Sequence, residues 1–471
     1  MLSRLGLRLR IFLFFCLLAV GGAALAAGAL AFGWWRAAVP VPTGPLVTAF
    51  VIFAFLNTGL ALAVWLLFDE HVAKPINTLS AELRLRAHSD VESELSAEMA
   101  RYLGDLAPAA QALSQSMGGS VMDTAARVAH ETQRLRAESE RLTALLTEIP
   151  IATILINPVQ EIVLYDGQAA DILSDIAPPR LKAPLSDYFD TGSLTDAIGR
   201  LSQDGSEIGF KLSDPTGQKS YDARVKALGG DGHMIFVDAA TRTDRPLAPR
   251  PLVFDFDLMN TAEAKEITDT PLRDLCFVPF DTETTGLSVE KDAIVQLGAV
   301  RVLNGRIVPG EVMDTYVNPG RPIPPASTRI HHVSDADVAD APDIAAAGRA
   351  FHHFARDAVL VAHNAPFDIG LLRRDQARMG VDWPHPVVDT VLLSAVVFGT
   401  TEEHSLDALC ARLGIVIPAE HRHTALGDAR ATAEALVKLL PVLDGKGIRT
   451  FGQLLQETRK HSRLLEDLNT G

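Results

Sequence analysis

Cysteine is nearly absent. The chain of 471 residues holds 3: Cys16, Cys276 and Cys410. They are far apart and show no metal-ligand or redox spacing, which argues against a disulfide framework and suits a reducing compartment. An excess of positive charge is also missing. The formal net charge is −15, so the chain carries no global basic signature of a duplex-binding protein. Charge of either sign is missing altogether from Ile11 to Trp35. That stretch and a second apolar one raise the mean hydropathy to +0.16, high for a water-soluble protein.

The first apolar run is long enough to span a bilayer as a helix. Arg4, Arg8 and Arg10 precede it, and Trp34, Trp35 and Arg36 follow at the expected interface. A short Pro/Gly segment leads to a second run, Leu46 to Phe68. The pattern predicts two transmembrane helices, about 11–35 and 46–68, within an anchor covering 1–68. A cleaved signal peptide is the rival for the first run, but the run exceeds a typical signal core and a second span follows at once. Three arginines ahead of the first span place the N-terminus in the cytoplasm. Two spans return the chain to that side. A multi-pass protein of the cytoplasmic membrane, with its bulk in the cytoplasm, is the expectation.

Beyond Phe68 the chain turns polar and helical. Pro75-Ile76-Asn77-Thr78-Leu79 resembles the start of a HAMP-type connector, assigned to 69–147. Val121, Ala125, Val128, Thr132, Leu135, Ser139, Leu142 and Leu146 follow alternating spacing of four and three, a heptad seam. A parallel homodimer fits it, as does a single helix packed on its own domain. Strands are expected at Ile149–Ile156, Glu161–Tyr165, Ile208–Leu212, Tyr221–Val225 and His233–Val237, with a short helix from Gly167 to Leu173. A strand pair, short helices and three further strands after a coiled helix resemble a PAS domain, an α+β module over 148–240. No residue in it points to a ligand. The Pro- and acid-rich 241–274 reads as a linker.

The chemistry lies further on. Leu275 to Phe280 reads as a buried strand, and it delivers Asp281 and Glu283. On a strand, residues i and i+2 face the same side. Two carboxylates so placed repel unless a cation lies between them, and hard oxygen ligands suit Mg²⁺ or Mn²⁺. An isolated pair of this kind is more often two solvated acids, so later carboxylates decide the matter. Two arrive. Asp368 follows a buried strand that starts at Val359 and ends at His363-Asn364, and a Pro366 that suits a helix start. Asp428 lies in the first turn of a helix opening at Ala425, five residues after His423. Gly286 is read as permitting a tight turn. The Asn304-Gly305 pair predicts a hairpin between Ala293–Leu303 and Arg306–Val317. Strands followed by alternating helices and strands predict an α/β domain with a mixed sheet over 275–445, then a C-terminal helix within 446–471.

The string Asp281-Thr-Glu283-Thr-Thr-Gly, then His363-Asn-Ala-Pro-Phe-Asp368, then His423-x-Ala-x-x-Asp428 resembles the DEDD-type 3′–5′ exonucleases of the histidine subclass. That group includes the epsilon subunit of DNA polymerase III and ribonuclease T. The resemblance covers just over a third of the chain and needs five residues to coincide. It implies a ribonuclease H-like fold and two divalent ions, Mg²⁺ or Mn²⁺. Asp281, Glu283, Asp368 and Asp428 would hold the ions, and His423 would be the general base. Thr284, Gly286, Leu287 and Asn364 would border the substrate. The implied reaction is hydrolysis of a nucleic acid, DNA or RNA, from its 3′ end.

Acidic residues outnumber Lys and Arg in this domain. A short single-stranded 3′ end is therefore the expected substrate, with the metals supplying the positive field. Arg373, Arg374 and Arg378 on one helix are candidates for phosphate contact or a solvated basic face. A receptor-like protein using the exonuclease fold only to bind is the alternative, and loss of a metal ligand would favour it; none is lost. A polymerase-associated proofreading subunit ranks lower, since a membrane anchor is awkward for a replisome part.

Overall fold

The structure, a computed structural model, describes residues 7–37, 42–77, 79–80, 151–201, 207–228, 232–238, 252–260 and 266–469. The heptad seam, most of the HAMP-like segment and Arg4 lie outside the described residues. The chain divides into two compact units, Met1–Met122 and Asp123–Gly471.

The first unit contains α1 (Leu7–Trp35) and α2 (Thr43–Phe68). Both helices are long and apolar enough to cross a membrane by length and composition. Each begins a few residues before its apolar run, because a helix does not end where its lipid-compatible stretch ends. The helices pack as an antiparallel hairpin. The Asn57 side-chain amide donates to the Ala19 carbonyl at 2.8 Å, and Phe12 meets Trp65 edge to face at 4.9 Å. At the open end Arg8 donates to both carboxylate oxygens of Asp69, at 2.6 and 2.5 Å. Asp69 opens a single π-helical turn, Asp69–Ala73.

The second unit contains two sheets. The first comprises β1 (Ile151–Ile156), β2 (Ile162–Tyr165), β3 (Glu207–Ser213), β4 (Ser220–Ala227), β5 (His233–Asp238) and β6 (Val253–Phe254), with α3 (Gly167–Ser174) and α4 (Gly192–Gly199) between β2 and β3. Its order is β3-β4-β5-β1-β2-β6, antiparallel throughout. The five expected strands and the helix form where the hydrophobic pattern places them. Part of the segment read as a linker does not behave as one. Val253 and Phe254 pair with Tyr165 and Leu164 as a sixth strand, since the two-residue apolar step covers an otherwise open strand edge.

The second sheet has the order β11-β10-β7-β8-β9, built from β7 (Phe277–Thr284), β8 (Ile294–Leu303), β9 (Arg306–Tyr316), β10 (Val359–Ala362) and β11 (Val387–Asp389). β7, β8 and β9 are antiparallel, whereas β10 runs parallel to both β7 and β11. The β8–β9 turn places Asn304 at φ 49° and Gly305 at φ 70°, the positive φ pair that Asn-Gly favours. Helices α5 (Pro325–His331), α6 (Asp335–Val338) and α7 (Ile344–Phe354) connect β9 to β10. Then follow α8 (Ala365–Met379), α9 (Thr390–Phe398), α10 (Leu406–Leu413), α11 (Ala425–Gly445) and α12 (Phe451–Thr458).

Every residue of β8 is buried, so both faces of this strand are covered. One face receives α11. Gly298 permits the contact, because a Cβ there would stand 2.2 Å from the Ala425 carbonyl carbon and the Leu426 nitrogen. The other face meets the first sheet. Arg301 on β8 and Glu311 on β9, each 1% exposed, pair at 2.8 Å. Their remaining partners come largely from the other module. The Tyr165 hydroxyl donates to Glu311 at 3.1 Å, the Leu181 N–H also donates to Glu311, and Arg301 donates to the Leu181 carbonyl at 3.2 Å. Arg356, which follows α7, reaches Asp187 at 2.7 Å. Buried side chains of the two sheets form one contiguous apolar cluster. The two regions expected to be joined by a linker thus share a core.

Candidate active site

The centre of the second sheet carries the acids. β7 enters as Phe277-Val278-Pro279-Phe280, all buried, and its last turn of pleat presents Asp281 and Glu283 on one face. α11 begins at Ala425 with Thr424 as N-cap, its hydroxyl accepting from the Gly427 N–H. That start brings Asp428 against the strand. Oxygens of Asp281, Glu283 and Asp428 lie within 4.8 Å of one another. Gln296 of β8 fixes the approach, its side-chain oxygen accepting from the Ala425 N–H at 3.3 Å.

Asp368, in the first turn of α8, is 4% exposed. It stands at the edge of this group, outside the three whose oxygens converge, and close enough for its charge to raise Asp281. The Thr282 hydroxyl donates to its Oδ1 at 2.5 Å. The middle residue of Asp-Thr-Glu therefore anchors the acid supplied from α8.

Electrostatics mark the cluster as strained without a cation. Burial, then the neighbouring carboxylates, lift Asp281 well above the usual range. Burial and the charges of Asp428 and Asp368 raise Glu283 to about 8. Burial lifts Asp368 to about 7 against the opposing Thr282 bonds. Asp428 is raised by burial, and His423 opposes the rise. Like charges gathered in a desolvated place titrate in this way. Hard oxygen donors so close together are the donor set that Mg²⁺ and Mn²⁺ take, so the residues fit divalent ions. His423 is exposed on the loop ahead of α11, with φ 56°.

The expected substrate-border residues divide. Leu287 is 92% exposed, an apolar side chain open to solvent on the turn after β7. Asn364 is exposed at φ 66°. Thr284 is buried, and its hydroxyl donates to the Gly286 carbonyl at 2.6 Å, so it holds the turn. Gly286 has no left-handed backbone. A Cβ there would stand 2.6 Å from an Asp292 carboxylate oxygen, so the glycine makes room for Asp292. That carboxylate accepts from the Thr285 hydroxyl at 3.0 Å and the Ser288 N–H at 2.9 Å. Of the three arginines on α8, Arg374 donates to the Val289 and Asp292 carbonyls and Arg378 pairs with Asp375. Arg374 secures the loop after β7; Arg373 is exposed.

Sequence reasoning missed Thr282, Asp292, Gln296 and Asp389. Asp389 carried one readable signal, since an acid ahead of an apolar helical run marks an N-cap. It does cap α9, accepting from the Val391 N–H at 2.7 Å. Its second set of partners lies just past the neighbouring strand β10, and no local pattern announces it.

An exonuclease family model, RNase_T, matches residues 278–436. A DNA polymerase III subunit epsilon-like protein from Rhodobacter capsulatus is 32% identical over 702 aligned positions, covering 99% of this chain and 100% of the relative. A PolC-type DNA polymerase III from Bacillus subtilis is 35% identical over 191 residues, 39% of this chain, and the chain spans 13% of that protein's length. Among solved structures, exonuclease X in complex with 5′ overhanging duplex DNA aligns at 30% identity and a TM-score of 0.31, over 39% of this chain and 99% of that one.

Proposed function

The chain belongs to the family of DNA polymerase III subunit epsilon-like proteins, and on that premise we propose that it is a membrane-anchored, metal-dependent 3′–5′ exonuclease releasing nucleoside 5′-monophosphates from single-stranded ends. One observation carries the reading. Carboxylates from β7 and α11 converge within 4.8 Å, with Asp368 from α8 beside them, an arrangement unfavourable without a cation.

Asp281, Glu283, Asp368 and Asp428 hold two Mg²⁺ or Mn²⁺ ions. Bound there, the ions supply Lewis acidity for the scissile phosphate and for the departing 3′ oxygen. The protein's own groups do the rest. His423, on an exposed loop beside Asp428, takes the proton of the attacking water as general base. Thr282 keeps the Asp368 oxygen from swinging away. Leu287 offers an apolar surface against the terminal base, and Asn364 helps position the substrate. The Arg374–Asp292 contacts keep the loop bearing Leu287 in place. An acidic domain with few free arginines suits a short single-stranded end over a long duplex.

Two apolar helices ahead of the catalytic unit support anchoring, with the N-terminus and the nuclease both cytoplasmic by the positive-inside rule. The antiparallel first sheet, with β1 central and β2 next to it, supports a PAS-like regulatory module. The HAMP-like connector and a homodimer along the heptad seam complete this reading.

The test uses the full chain extracted from membranes in detergent; recovery in the soluble fraction without detergent would refute the anchor. With Mn²⁺ and a 5′-labelled single-stranded oligonucleotide, DNA or RNA, the products are a descending ladder and unlabelled monophosphates. Asp281→Ala abolishes them. Early release of the label as a mononucleotide contradicts the direction, and release indifferent to Asp281→Ala removes the enzyme reading.

A further inference from the structure

Helix α8 brings Asp368 to the site, yet its start is irregular. Its N-cap, Asn364, lies in the left-handed region at φ 66° and makes no side-chain capping bond. A non-glycine residue persists there only where the surroundings enforce it. The first N–H groups of a helix also need acceptors. Both demands are met by one carboxylate from another strand.

Asp389, at the end of β11, is 5% exposed. Its Oδ2 accepts from the Ala365 N–H at 2.7 Å, and its Oδ1 accepts from the Asn364 N–H at 3.3 Å. Oδ1 also accepts from Val391 at the start of α9. A second tie lies one residue further. The Thr390 hydroxyl donates to the Ala362 carbonyl at 3.3 Å and stands 2.9 Å from His363 Nδ1. The edge that delivers Asp389 is itself closed. The Asn469 side chain accepts from the Val387 N–H at 2.9 Å and donates to the Val387 carbonyl at 2.6 Å, as a neighbouring strand would.

We propose that Asp389 is a positioning residue for the acidic site, holding the left-handed turn at Asn364 and the first turn of α8 so that Asp368 stays beside the other carboxylates. It touches neither substrate nor reacting atoms and acts through Asp368. The inference rests on the metal-site reading above. Replacing the carboxylate by a carboxamide presents a donor where an N–H donor already stands, so one end of the clamp opens. α8 then relaxes, and Asp368 leaves the cluster.

The experiment measures Mn²⁺ binding by electron paramagnetic resonance, alongside hydrolysis, on the full chain in detergent. Asp389→Asn weakens Mn²⁺ binding roughly 10- to 100-fold, as loss of an outer hydrogen-bond partner does at metal sites, while circular dichroism in EDTA shows a folded protein. Hydrolysis falls at low Mn²⁺ and is partly restored by excess metal. Should Asp389→Asn fail to fold, Asp389→Ser takes its place: the shorter side chain still caps α9 but does not reach Ala365, and the same metal defect is expected. Wild-type Mn²⁺ affinity in either folded variant overturns the proposal. Wild-type protein that binds no Mn²⁺, or binds it equally well after Asp281→Ala, overturns the metal-site reading instead.

Discussion

Glu311→Gln tests whether the two sheets of the second unit stand or fall together. The substitution keeps the size of the side chain and the oxygen that accepts from Tyr165 and Leu181. It removes the charge. Arg301, 1% exposed, is left with the carbonyls of Phe354 and Leu181 and no counter-ion. Burial pushes the Glu311 carboxyl above its usual range, against the pull of Arg301, the Leu181 N–H and Tyr165. The pair therefore contributes little over a well-packed apolar pair, but breaking it strands a charge. Removing one member of a buried ion pair costs about 3–5 kcal/mol. That corresponds to a fall in melting temperature on the order of 10 °C for a body of this kind. Because the partners of the pair lie in both modules, β1–β5 and β7–β9 lose protection together. The assay is thermal melting combined with hydrogen exchange read by mass spectrometry on peptides from each sheet. The double variant Arg301→Met/Glu311→Leu removes the stranded charge. It does not restore wild-type stability, because the Tyr165 hydroxyl and the Leu181 N–H lose their acceptor, at about 1–3 kcal/mol each when buried. An unchanged melt for Glu311→Gln, or faster exchange confined to one sheet, refutes the shared-core argument.

Two further outcomes follow from the site. In metal-free protein the raised carboxylates bind more protons folded than unfolded, so stability falls as pH rises from roughly 4 to about 8, and a divalent ion replaces those protons; Mn²⁺ therefore raises the melting temperature more at pH 8 than at pH 6 in thermal-shift measurements against EDTA, and equal shifts contradict the assignment. Gly298→Ala drives a methyl into the Ala425–Leu426 backbone at 2.2 Å, so α11 moves off β8 and carries Asp428 with it; overpacking of this kind costs about 1–3 kcal/mol, and the measured result is loss of Mn²⁺ binding beyond what the modest drop in melting temperature explains.

Much of this molecule was legible from local pattern, for a physical reason. A strand that ends in Asp281-Thr282-Glu283 must present two acids on one side, whatever surrounds it. The 3.6-residue period of the run opening at Ala425 places Asp428 in a first turn. Asn304-Gly305 can hardly avoid a hairpin. These are consequences of backbone geometry over a few residues, and the chain states them directly. The apolar runs at the N-terminus are equally local, since length and composition alone decide whether a helix matches a bilayer.

What the sequence could not state is which groups far apart in the chain complete one another. Thr282 points away from its two acidic neighbours and serves Asp368, 86 residues on. Asp389 caps its own helix, as its position announces, and also the helix of Asp368, which nothing local announces. Gly286 is small because Asp292 folds back on it, not because its backbone is left-handed. Arg301 and Glu311 look like surface residues of a hairpin until the first sheet closes over them. Val253-Phe254 looks like linker until an open strand edge lies beside it. The sequence by itself determined the elements that bear Asp281, Glu283, Asp368, His423 and Asp428, because strand alternation and helix starts follow from short-range periodicity; the roles of those residues come from the resemblance. Only the tertiary structure decided how the acids are aimed and what the nuclease sheet leans on, because hydrogen bonds and buried charges are satisfied by whatever the fold brings within about 3 Å, regardless of distance along the chain.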